Sequence, residues 1–201
     1  MATIYGHQGV ETVYGLHRPF DLPPAALTFP TRLADRRTAR TMMKPHSDPN
    51  KQQIKGVGTL LNLLLADECL LYSKTRNCHW NAAGSEIRPL RELFEQQYDK
   101  LSDIIDRVAN RGLSWGAQAM GTMSEFLQYA RLKEHPGKRP PAARMLAHLL
   151  EDHEAIVRTL RGDRAVCAEE FCDAETSEFL AGLVEQHENM ARMLRAHLEN
   201  S

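Results

Sequence analysis

Four positions in this 201-residue sequence carry polar chemistry where an apolar side chain is expected: Glu68, Gln97, His153 and His187. Each interrupts a run of apolar residues spaced three and four apart. Glu68 falls between Leu64 and Leu71, Gln97 between Phe94 and Leu101, His153 between Leu149 and Ile156, and His187 between Leu183 and Met190. Each lies near the middle of a helix-length segment, and in an antiparallel bundle mid-helix positions meet in one layer. A carboxylate, an amide and two imidazoles in one layer admit two chemistries. One is a hydrogen-bonded polar layer, because buried polar groups find partners. The other is a metal ion held by Glu68, His153 and His187. Bundle di-metal sites use several carboxylates and Glu-x-x-His pairs. Here there is one carboxylate, and neither histidine has a glutamate three residues before it. The polar layer is therefore the favoured reading and the metal site the alternative.

A second group of ligand-type residues lies in "RNCHWNAAGSEIRPLRELFEQQYDK", residues 76–100. His79 stands near the end of one expected helix and Glu95 on the next, with Arg91 between them. Three readings fit: a metal site, a metal site altered by the arginine, or a helical hairpin with a buried histidine.

The elements that position these residues follow from the apolar periodicity. Stripes over about 52–80, 86–112, 142–167 and 174–199 have the helical period. Ser85 in "GSE" and Ser177 in "TSE" stand near helix starts. The connection 113–141 is long and contains "SEFLQYARLKE", a possible short helix. Two short connections and one long crossover predict an all-α, ferritin-like four-helix bundle over 51–201. Six of the ten prolines lie in residues 1–50, which excludes a long helix there and predicts an extended arm.

Composition sets further bounds. No apolar run approaches the ~20 residues of a membrane span, and the N-terminus lacks the basic and apolar regions of a signal peptide. A cytoplasmic protein with no membrane partner is the expectation. Cys69, Cys78, Cys167 and Cys172 form no CxxC pair, so free thiols are expected. Residues 1–55 hold eight Lys/Arg against four Asp/Glu, and the remainder 17 against 22, so a basic arm precedes an acidic body. Arg32, Arg36, Arg37, Arg40 and Lys44 suit phosphate contacts with DNA. Alternatively the arm docks on its own assembly through Tyr14, Leu16, Phe20, Leu22, Leu27 and Phe29, with its arginines paired to the acidic body. His7, His17 and His46 are scattered metal-capable residues. Glu169, Glu170, Asp173 and Glu175 in "CAEEFCDAE" could focus cations, or simply complement a helix N-terminus.

The segments "LLADECLLYSKTRNCHWNAAG", "LRELFEQQYDKLSDIIDRVANRG", "EDHEAIVRTLR" and "ARMLRAHLE" together resemble the Dps family, the mini-ferritins known as DNA-binding proteins from starved cells. The resemblance runs from about residue 57 to 199, and "HWN" is its specific marker. It implies a hollow homododecameric shell, and iron oxidation, preferably by hydrogen peroxide, at sites shared between two subunits. It also implies mineral storage inside the shell and, in some members, DNA binding through basic tails. The family's site places a His in "HWN", a second His twelve residues later and an acid four residues beyond. A neighbouring subunit adds an Asp and, four residues on, a Glu. In this sequence those positions are His79, Arg91, Glu95, Asp106 and Asn110. Three keep a ligand type and two do not. Arginine has no acceptor and stays protonated, and asparagine brings no charge. The expectation is a weakened or abolished iron site, with Arg91 bridging Glu95 or a neighbour's Asp106. His79 as a plain interface histidine is the competing view. The acidic loop falls where the family builds its three-fold pores.

Overall fold

The computed structural model describes residues 50–83, 87–137 and 140–199. The chain divides into two units, Met1–Pro45 and His46–Ser201, and the described residues all belong to the second. The expected arm, its basic and apolar residues, its three histidines and Ser85 therefore lie outside the described residues.

Helices account for the described secondary structure: α1 (Lys51–Asn81), α2 (Ile87–Ser114), α3 (Met123–Tyr129), α4 (Ala142–Glu169) and α5 (Ala174–Glu199). The start of α1 is set by a reciprocal cap. Asn50 Oδ1 accepts the Gln53 amide at 2.9 Å, and the Gln53 side chain accepts the Asn50 amide at 2.8 Å. At its other end Ala82 turns extended while its N–H still bonds Cys78 O. The apolar stripes pair α1 with α2 and α4 with α5. Contacts of α1 with α4 and of α2 with α5 close the bundle. Phe94, Leu64, Leu71, Leu101, Leu146 and Leu180 are fully buried in one core. Each such side chain stabilises the fold by roughly 1.5–3 kcal/mol relative to exposure. The expected ferritin-like four-helix bundle with a long crossover is what forms.

Polar groups on α1 hold the crossover. Asn62 donates to Gln118 O at 2.9 Å and accepts the Met120 amide at 3.0 Å. The buried Asp67 carboxylate accepts the amides of Arg131 and Leu132 and pairs with the Arg131 guanidinium at 2.7 Å. Those two amides explain why α3 stops at Tyr129, short of the expected run to Glu134: the carboxylate takes donors that further helix would have used. Gly58 lets the crossover approach, since a Cβ there would stand 2.5 Å from Ala117 Cβ.

Ser177 lies in the first turn of α5. The cap is Asp173, whose Oδ1 accepts the Thr176 amide at 3.0 Å.

Candidate metal centre

The corner where α1 ends and α2 begins gathers the first set of candidate ligands. His79 is half-buried in the last turn of α1, and its Nδ1 lies 3.1 Å from the backbone oxygen of Arg91. A carbonyl only accepts, so Nδ1 carries the proton and Nε2 keeps the lone pair. That is the tautomer a metal-binding histidine uses. The ring meets Tyr98 edge-on, with centroids 5.5 Å apart. Burial, and then the Glu95 carboxylate, raise the Tyr98 phenol above its ordinary pKa. Glu95 is exposed on α2.

Arg91 brings its backbone to His79 but not its charge to Glu95. The one (i, i+4) ion pair on this turn among the described residues is Arg88–Glu92, at 3.0 Å, and Arg91 is exposed. The expected Arg91–Glu95 bridge is thus absent within the chain. The Glu95 carboxylate acts on the Tyr98 phenol instead, raising its pKa.

A different arginine occupies the corner. The Arg76 guanidinium lies 4.9 Å from the Trp80 ring centre, 5.2 Å from Tyr98 and 5.6 Å from Tyr72, and it donates to the Tyr72 hydroxyl at 2.8 Å. Sequence reasoning missed this cluster. Its signal was the (i, i+4) series Tyr72, Arg76, Trp80, which places cation and rings on one helix face.

Asp106 and Asn110 are exposed one turn apart on α2. Asp106 borders a shallow cleft of about 360 Å³ with Lys100, Asp103, Arg107 and Gln186. Eleven residues of helix separate Glu95 from Asp106, about 16 Å along the axis. One ion cannot touch both within one chain. Among the described residues no three His, Cys, Asp or Glu side chains converge as a metal would require. Within a single chain, His79 Nε2 and Glu95 are the ligand-type groups at this corner.

The mid-bundle layer exists. Glu68, His153 and His187 are fully buried and Gln97 is 1% exposed. Its geometry is a chain across the bundle. Glu68 Oε1 lies 2.9 Å from His187 Nε2, and His187 Nδ1 lies 2.9 Å from His153 Nδ1. Both His187 nitrogens are therefore engaged, and the trio does not form a chelate. Burial, and then the neighbouring His187, hold the His153 pKa well below the usual imidazole range, so His153 is neutral. If the Glu68 carboxylate accepts His187 Nε2–H, His187 Nδ1 accepts the proton of His153 Nδ1, and His153 Nε2 is a bare lone pair. Gln97 donates to Met190 O at 3.1 Å. The buried atoms left without a partner in this layer are His153 Nε2, Glu68 Oε2 and Gln97 Oε1. On these assignments all three are acceptors, which a water or a cation would satisfy.

The acidic loop divides into two roles. Asp173 is buried, caps α5 and lies 3.4 Å from the Arg111 guanidinium. Its carboxylate is engaged by the cap and by the Arg111 guanidinium, in line with the helix N-terminus reading. Glu175 also meets Arg111 at 3.4 Å but remains exposed. Glu169 and Glu170 are exposed at the C-terminus of α4, where the helix dipole opposes negative charge. Dipole complementarity explains Asp173 and Glu175 and leaves those two glutamates unexplained. Cys69, Cys78, Cys167 and Cys172 are free thiols, and burial pushes Cys167 up to about 12. Among the described residues no helix is long and apolar enough to cross a membrane.

Two long helical hairpins, a crossover pinned to the first helix and a polar mid-bundle layer define a ferritin-like protein, and the Ferritin-like domain family matches residues 58–201. Within that class the chain belongs to the Dps family. It is 36% identical over 143 residues to the DNA protection during starvation protein of Brevibacillus brevis, covering 71% of this chain and 95% of the relative. It is 45% identical over 148 residues to a low temperature-induced protein of Nostoc sp. PCC 7120, covering 74% and 83%. Among solved structures, a Dps protein from Bacillus brevis superposes with a TM-score of 0.70 at 34% identity, covering 74% of this chain and 99% of that one.

Proposed function

We propose that this chain is an iron-handling mini-ferritin whose copies assemble into a hollow dodecameric shell. His79 and Glu95 of one copy and Asp106 of another hold iron(II) as substrate where two copies meet. Each hydrogen peroxide takes one electron from each of two iron(II) ions and two protons from solvent, and its O–O bond breaks to give two waters and two iron(III) ions. The ferric product is stored inside the shell. Arg91 and Asn110, in place of an imidazole and a carboxylate, weaken the site by removing donors and adding positive charge. Glu169, Glu170 and Glu175 draw cations toward the interior. Arg32, Arg36, Arg37, Arg40 and Lys44 bind DNA phosphates, in keeping with the name of the Brevibacillus brevis relative. The observation that carries the reading is the 3.1 Å contact of His79 Nδ1 with Arg91 O, which directs the proton to Nδ1 and leaves Nε2 free to donate to a metal.

A second reading has support from the same corner. With Arg91 where an imidazole is needed and Arg76 packed among the neighbouring rings, the shell acts structurally or through DNA, without ferroxidase chemistry. One experiment separates them. Purified, assembled protein is given iron(II) with oxygen or with peroxide, and oxidised iron per shell is counted. Slow peroxide-driven oxidation above the protein-free rate supports the iron reading, and a rate equal to buffer supports the structural one. If oxidation proceeds but His79→Ala leaves it unchanged, the mid-bundle layer becomes the alternative iron site, and His153→Ala should slow it.

A further inference from the structure

A cleft on the described surface is lined by none of the candidate iron ligands themselves. It has a volume of about 660 Å³ and opens between the C-terminal part of α1, the end of the crossover and the start of α4. Lys74, His135, Arg144 and His148 line it, and no carboxylate does among the described residues. The cationic groups are not all spent on neighbours. Lys74 pairs with Asp152 at 2.5 Å and donates to Lys133 O at 2.7 Å, which leaves the third proton of its ammonium. Arg144 is exposed, and its guanidinium has no ion pair among the described residues. The His135 and His148 rings stack with centroids 4.9 Å apart and planes 20° apart. Beneath them lie the buried side chains of Met145 and Leu149.

These features select a ligand class. A planar guanidinium with five free donors matches a phosphate or carboxylate in bidentate fashion. A lone inorganic ion would leave most of the space empty, since clefts of about 300–1,000 Å³ are the size that encloses small organic molecules. The imidazole wall and apolar floor suit a flat ring. We propose that this cleft binds a small organic phosphate bearing a flat ring, of the size of a nucleoside monophosphate. Arg144 and Lys74 hold the phosphate, and the ring lies against His135, His148 and Leu149. The assignment is independent of the iron reading.

Cys78 also lines the cleft and reports on its occupancy. Burial pushes its thiol up to about 11, so labelling is slow and sensitive to access. The exposed Cys172 serves as an internal reference. The full-length protein is titrated by calorimetry with adenosine monophosphate and, separately, with inorganic phosphate. Maleimide labelling of each cysteine is followed by peptide mass spectrometry. The expected result is binding of the mononucleotide, weakened at least ~10-fold by Arg144→Glu, and slower labelling of Cys78 with Cys172 unchanged. No binding overturns the proposal. Binding that neither protects Cys78 nor responds to Arg144→Glu places the ligand elsewhere and overturns it too. Equal affinity for inorganic phosphate rejects the ring-bearing class. A DNA duplex that protects Cys78 as well as the mononucleotide reassigns the cleft to nucleic-acid backbone.

Discussion

Replacing His187 with leucine tests whether the mid-bundle layer is a hydrogen-bonded chain. The substitution removes the 2.9 Å partner of Glu68 Oε1, while Glu68 Oε2 has no partner to begin with. A fully buried carboxylate is then left alone. Stranding a buried hydrogen-bond acceptor in this way costs about 1–3 kcal/mol, toward the upper end for a carboxylate. For a chain of this size each kcal/mol lowers Tm by about 2–4 °C, so the fall is roughly 2–12 °C. His187→Leu with Glu68→Leu removes the stranded charge and should recover much of the loss. What remains is the His153 ring without its Nδ1 partner, a cost of about 1–3 kcal/mol. Adding His153→Leu should bring the protein close to the wild type. The assay is thermal denaturation by circular dichroism at one fixed protein concentration, because assembly ties Tm to concentration. A double variant no more stable than His187→Leu alone would refute the reasoning, since the stranded carboxylate would then not be the source of the cost. Chelator treatment should leave the wild-type Tm unchanged. A drop would show that a metal ion, not the hydrogen-bond chain, holds the layer.

Three more outcomes follow from the geometry. Arg91→His with Asn110→Glu supplies an imidazole and a carboxylate at the inter-copy site and removes a fixed positive charge. Peroxide-driven iron(II) oxidation should rise by about 10–100-fold, the scale on which ligand surroundings alter metal sites, and rates that stay equal exclude this location. Co-assembly of Glu95→Ala and Asp106→Ala chains in equal amounts should restore activity that neither has alone. If two symmetric sites form where two copies meet, half the pairs are mixed and each rebuilds one site, so about a quarter of wild-type sites return; no recovery on mixing excludes a shared site. The neutral His153, facing His187 and through it Glu68, makes stability depend on pH. Its folded pKa lies below the unfolded value of about 6.5, so the unfolded chain binds more protons and stability falls as pH drops below that value. His153→Leu should flatten that part of a denaturation profile between about pH 7 and 5.

The fold was legible because long amphipathic helices write their period into the chain. The stripe over 142–167 became a helix of Ala142–Glu169, and that over 174–199 became Ala174–Glu199. The layer was legible for the same reason: a polar residue in an apolar stripe at mid-helix has nowhere to point but inward. Which atom meets which was not legible, because it depends on rotamers and on the sub-turn offset between helices. A one-atom change in pairing turns a metal cage into the observed chain through His187. Asn62 and Asp67 went unread although both lie in the apolar first helix. Their partners are backbone amides of the crossover, which carry no sequence signature. Asp173 stayed between two readings for the opposite reason, since a carboxylate in an acidic run looks like its neighbours until its Oδ1 is seen on the Thr176 amide. The inter-copy site combines both difficulties. Its ligand types can be counted along the chain, but Glu95 and Asp106 point from places about 16 Å apart on one rod. Under the proposed shared site, only a contact between two copies could bring them onto one ion, and such a contact leaves no mark in a single sequence.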